Sequence, residues 1–141
     1  MISNDRQYQH SRKQAGELEA LLAALRAGTA GDDGFRDLQE AALVGQIDDV
    51  RSEIAEYDRL RSGEATTFEA STLAGLADAL IKARIARGWT QADLAVALGV
   101  AEQQIQRYES TKYAGASLAR LGDIAAALKV EVRETVVLLA S

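Results

Sequence analysis

The chain has 141 residues, 48% of them hydrophobic, enough to bury the core of one ordinary domain or of a small domain with a helical attachment. It has no cysteine, which excludes disulfides and thiolate sites and fits a reducing cytosol, and no proline with only 5% aromatic residues, the composition of an all-helical protein. Net charge is −5 and the pI about 4.9, but residues 1–72 hold eight Lys/Arg against fourteen Asp/Glu, a balance of −6, while residues 73–141 hold eight against seven, a balance of +1. The global acidity therefore says little about what the C-terminal half can touch. The opening MISNDRQYQHSRK is too polar for a secretory signal, and no stretch approaches the roughly 20 apolar residues that span a bilayer, so a soluble, cytoplasmic protein without membrane association is expected.

In chain order, Leu18, Leu21, Leu22 and Leu25 recur at helical spacing within residues 3–27, and the run from Gly28 to Gly34 (GTAGDDG) breaks the pattern. A second helix is expected from Phe35 to Leu60, with Leu43, Ile47, Val50, Ile54 and Tyr57 forming a short heptad seam. These two helices make residues 1–62 an N-terminal hairpin for dimerisation or partner docking, and residues 63–72, beginning GEATTFEAS, read as a linker. Residues 73–141 read as five shorter helices: Leu73–Arg87, closed by Gly88; Thr90–Leu98, opened by a capping-box-like Thr90 with Asp93; Ala101–Glu109; Leu118–Leu128, capped by Ser117; and Val132–Leu139.

The spacing Ala95, Gly99, Ile105 carries the functional signal. A small residue in one helix lets the next approach, a glycine four positions on takes the left-handed turn, and a branched residue six further pins the second helix to the core, the geometry of a helix-turn-helix. With Ile105 inward, Glu102, Gln103, Gln104, Gln106 and Arg107 point outward, and Gln103, Gln106 and Arg107 share a face. Glutamine bonds bidentately to adenine N6 and N7 and arginine to guanine O6 and N7, so the face suits base reading in double-stranded DNA. The amides opening the helix at Thr90, with the Gln91 side chain, suit one phosphate; Lys112 and Tyr113 are placed for a second.

TQADLAVALGVAEQQIQRYES, followed by SLARLGDIAAALKV, resembles the Xre/Cro/cI-type helix-turn-helix repressor family over roughly residues 76–139. The resemblance implies an all-α fold with a five-helix lambda-repressor-like domain behind the N-terminal hairpin, a homodimer, and a roughly palindromic operator with half-sites about one turn apart. It also implies that Gln91 contacts phosphate, that Gln103 and Arg107 read bases, and that Arg84 and Glu109 form a structural ion pair. The chain departs from the family where Ala101 replaces the usual capping serine, where Glu102 must meet a cytosine N4 or stay clear of phosphate, and where Ser110-Thr111 replaces Asn-Gly. YAGASLARL resembles the loop of HigA-like antitoxins.

The expected function is thus a sequence-specific, homodimeric DNA-binding regulator, with repression by operator occupancy. The alternative is an antitoxin whose acidic N-terminal helices neutralise a basic ribonuclease toxin while the chain represses its own operon. A bare assembly module that has lost DNA binding is a third reading, suggested by Ala101 and Glu102. Trp89 reads as core. His10 stands alone, the carboxylates at Asp48, Asp49, Glu53 and Glu56 read as a solvated face, and neither a glycine-rich phosphate loop nor a nucleophile with a histidine partner is visible. No catalytic residue, metal ligand or cofactor is expected.

Overall fold

The computed structural model describes residues 1–28 and 33–141, which divide into two compact units, Met1–Ala65 and Thr66–Ser141. Six helices and no strand are found among the described residues.

The first unit is an antiparallel pair, α1 (Asp5–Ala27) and α2 (Asp33–Arg61). Asn4 starts α1 by accepting the Gln7 amide at 2.9 Å, which satisfies one of the orphan donors of the first turn. The direction of pairing is written in the ion pairs: Asp5 meets Arg61, Glu19 meets Arg51 and Arg26 meets Glu40, so rising numbers on α1 face falling numbers on α2. The heptad seam points inward, with Ile47 and Tyr57 buried and Leu43, Val50 and Ile54 half-buried; the ring of Tyr57 lies 5.1 Å from that of Tyr8. Leu21, Phe35 and Leu38 remain exposed. The expected break at 28–34 falls largely on residues 29–32, which lie outside the described residues; Asp33 and Gly34 belong to the first turn of α2.

The second unit holds α3 (Leu73–Ala86), α4 (Gln91–Leu98), α5 (Glu102–Ser110) and α6 (Leu118–Ala127). Thr72 caps α3 and Ser117 caps α6, each accepting the backbone amide three residues on. Gly88, at φ +71°, takes the left-handed conformation that lets the chain reverse after α3. Helix α4 packs against both α5 and α6, and Leu80, Ile81, Leu94, Ile105, Ile124 and Leu128 form the fully buried centre. Arg87 reaches across to the end of α6, donating to the carbonyls of Leu128 and Lys129 at 2.8 and 3.0 Å.

The expected fifth helix of this domain, Val132–Leu139, is absent: residues 130–141 carry no regular secondary structure. Lys129 turns left-handed at φ +54° and closes α6 with Val130 N donating to Ala125 O at 2.8 Å, so the helix stops cleanly. Beyond it, Val130, Val132, Thr135, Val136 and Val137 are β-branched, which costs side-chain freedom in a helix, and apolar and charged residues alternate with a period of two at Val130–Arg133. No described helix is long and apolar enough to cross a membrane.

Candidate nucleic-acid interface

Helix α4 begins with a complete capping box. Thr90 Oγ1 accepts the Asp93 amide at 3.1 Å, and Asp93 Oδ2 accepts the Thr90 amide at 2.8 Å. Those bonds, the backbone one foremost, hold the Asp93 carboxyl below its ordinary pKa of 3.8. The box leaves the amides of Gln91 and Ala92 as the donors it does not engage at this helix end.

At the other end of α4, Gly99 sits at φ +67° and ψ 33°, and the Val100 amide returns to Ala95 O at 3.0 Å. The Cα of Ala95 can come close to α5 because only a methyl group stands on it, and the residue is buried. Ile105, with no exposed surface, then seats α5 on the core. Ala101 occupies the N-cap position of α5 with extended backbone and no side-chain cap bond, so one orphan donor of that helix stays open to a ligand or to water.

The turn fixes what α5 shows to solvent. At 3.6 residues per turn, Glu102, Gln103, Gln106 and Arg107 fall within an arc of about 140°, and all four are exposed. Gln104 is half-buried, so its reach outward is smaller than that of the other four. Glu102 Oε1 accepts the Gln106 side-chain amide at 3.3 Å, which ties the acidic residue to its neighbour on the same face. Among the described residues no hydrogen bond or ion pair holds the Arg107 guanidinium, and its four-residue offset from Gln103 sets the two side by side.

Behind this face lies a buried polar network. Arg84 on α3 grips Glu109 at the end of α5 bidentately, Nε to Oε2 and Nη2 to Oε1, both at 2.6 Å, with side chains 3% and 1% exposed. Arg84 Nη1 also donates to Trp89 O at 2.7 Å, and Gln91 Nε2 donates to Glu109 Oε1 at 3.1 Å. The Glu109 carboxylate therefore ties α5 to α3 and α4, and Arg84 extends the network to the turn before α4, holding the exposed face of α5 at a fixed angle to the N-terminus of α4. The ion pair implied by the resemblance is present; the Gln91 bond to it could not be read from spacing.

Of the other expected site residues, Gln91 and Tyr113 are buried and Lys112 is exposed in an ion pair. Gln91 is buried, with its side-chain amide donated to Glu109. Lys112, exposed, pairs with Asp78 at 2.6 Å, so its charge is partly answered within the second unit. Tyr113, expected at a phosphate, is 4% exposed and stacked on Tyr108 at 5.7 Å, with its hydroxyl buried and unbonded among the described residues, so it packs in the core. Burial, with Glu109 nearby, pushes that hydroxyl's pKa up. Both Lys112 and Tyr113 stand at positive φ, 52° and 57°, and this left-handed pair turns the tyrosine inward. Trp89, read as core, is half-buried, and its carbonyl accepts from Arg84.

Among the described residues no group of carboxylate, histidine or cysteine side chains has the makings of a metal site. Residues 80–134 match the family model described as helix-turn-helix. Neither the curated proteins nor the solved structures contain a match to the chain.

Proposed function

We propose that a chain whose residues 80–134 are a helix-turn-helix domain of the Xre/Cro/cI type is a sequence-specific transcriptional regulator. In this reading two copies occupy a roughly palindromic operator and repress by blocking it, without catalysis, inside the cell. The observation that carries the reading is the face of α5: Gln103, Gln106 and Arg107 stand exposed on one side of a helix that Ile105 and the Arg84–Glu109 pair fix to the domain. Laid in the major groove, that face offers Gln103 to an adenine edge and Arg107 to a guanine edge. The amides of Gln91 and Ala92 meet the flanking phosphate. Glu102, linked to Gln106, is directed at a cytosine amino group or held off the backbone by that bond.

The basic excess is small, because Lys112 answers Asp78 and Arg84 answers Glu109. Base contacts, with few phosphate contacts, then carry the preference, and affinity falls with salt along a shallow slope. Selection of bound duplexes from a randomised library tests this directly. The expected product is an inverted repeat with half-site centres about one turn apart; recovery of no enriched motif from correctly folded protein would overturn the reading.

A second reading, in which the first unit neutralises a basic toxin, is supported by the −6 balance of residues 1–72 and by exposed Leu21, Phe35 and Leu38. The two readings are compatible. Co-expression with the protein encoded by the neighbouring reading frame tests the second: rescue of growth supports it, and continued toxicity in the presence of the full chain counts against it.

A further inference from the structure

We infer that Glu102 and Gln106 act as one acceptor row that demands cytosine at one position of each half-site, and that this row sharpens selectivity by repelling other bases while lowering affinity for every duplex. The inference rests on the reading of α5 as a base-reading helix. It assigns the part of that face which the glutamine–adenine and arginine–guanine pairings leave unused.

The exposed face of α5 is polarised across its width. Glu102 and Gln106 lie about 40° apart around the helix and form one row; Gln103 and Arg107, also about 40° apart, form a second, and about 100° separates the two. The second row is rich in donors, with the N–H groups of the Arg107 guanidinium and of the Gln103 amide. The first row is its opposite. A carboxylate only accepts, so the 3.3 Å bond between the two side chains obliges Gln106 to give Glu102 Oε1 one of its N–H groups. That bond turns the amide nitrogen of Gln106 along the row, and Glu102 Oε2 and Gln106 Oε1 stay unbonded among the described residues.

Base edges decide what such a row tolerates. In the major groove guanine shows two acceptors, N7 and O6, and thymine shows O4 beside a methyl group; adenine sets an N7 acceptor beside its N6 donor, and cytosine shows the N4 amino group alone. Against guanine or thymine the carboxylate meets lone pair with lone pair. Against adenine it gains one bond and faces N7. Cytosine offers a donor with no acceptor beside it, so it is the base the row accepts, and the inverted pair, with guanine in its place, is the worst of the four. The same negative charge meets phosphates at every site, so it weakens binding to all sequences alike.

Selection from a randomised duplex library with the full chain, as wild type, Glu102→Gln and Glu102→Ala, tests the assignment. Anisotropy on four duplexes that differ only at the affected pair then gives the size of the effect. Wild type should prefer cytosine there by at least about fivefold, with the inverted pair bound most weakly. Glu102→Gln should move the preference from cytosine to adenine, the base that glutamine reads, and Glu102→Ala should erase it. Both variants should bind a scrambled duplex about threefold more tightly at low salt, the effect of one charge about 7 Å from a phosphate in water, and the gain should fade as salt is raised. An acid in the first turn also steadies its helix; a role confined to that would lower the urea midpoint and leave base preference unmoved. One motif shared by all three proteins, a wild-type motif without a G·C pair, or a scrambled duplex bound more weakly by either variant would each overturn the inference. A wild type that selects no motif at all overturns instead the base-reading proposal beneath it, so the two failures are distinguishable.

Discussion

Replacing Glu109 by alanine removes the acceptor that Arg84 on α3 and Gln91 on α4 share. Arg84 then keeps Trp89 O at 2.7 Å but loses both 2.6 Å bonds to carboxylate, with its side chain 3% exposed and no route to bulk water. Stranding one member of a buried ion pair costs about 3–5 kcal/mol, and loss of the Glu109 acceptor for Gln91 Nε2 adds to it. For a unit of this size each kcal/mol lowers Tm by about 4–8 °C, so Glu109→Ala should melt at least about 12 °C below wild type. The chain contains one tryptophan, Trp89, whose carbonyl belongs to this network, so its fluorescence in a urea titration follows the second unit specifically. The double replacement Arg84→Met with Glu109→Leu takes away both charges and refills the space, and it should recover most of the loss. A single variant destabilised by less than about 1 kcal/mol would refute the reasoning. So would a double variant as weak as the single one, because the cost would then not come from an unpaired buried charge.

The other expectations are smaller. Ala101→Ser supplies the missing cap of α5 on backbone already in the extended cap conformation, and should stabilise the second unit by about 1 kcal/mol in the same titration. Gly99→Ala meets no atom within 4 Å, so its cost is that of the left-handed backbone alone, about 1–2 kcal/mol, and a neutral result would contradict the turn. Because the Asp93 pKa is depressed in the folded chain, its contribution is present above the ordinary 3.8 and disappears as pH falls through the lowered value. Asp93→Asn should therefore flatten the acid side of the stability profile relative to wild type, and an unchanged acid limb would remove the capping box from the account.

Much of the second unit was legible because its determinants are local. Thr90, Gly99 and Ser117 mark helix ends by chemistry that acts within four residues, and Ala95, Gly99 and Ile105 state a packing geometry in their spacing alone. What was not legible depends on side chains meeting across the chain or on backbone signs that composition does not reveal. Lys112 is a plausible phosphate ligand until Asp78, thirty-four residues away, is found beside it. Tyr113 reads as an exposed aromatic after a polar helix, and only the two successive left-handed residues turn it into the core. Gln91 matches the family's phosphate glutamine by position, yet the buried carboxylate of Glu109 claims its amide. The misread closing helix is a different failure. Leu128, Val132, Val136 and Leu139 fit a helical period, but the β-branched run and the left-handed Lys129 favour an irregular segment instead.

The central claim is that the exposed face of α5 reads base sequence. Anisotropy with a selected operator and a scrambled duplex, for wild type and for the Gln103→Ala, Arg107→Ala variant, tests it most directly. Each bidentate pair contributes about 1–3 kcal/mol of discrimination. The account predicts that the variant, equally helical, loses the preference for the operator by at least about tenfold while weak, salt-sensitive binding to both duplexes remains. Undiminished preference in the variant would contradict it.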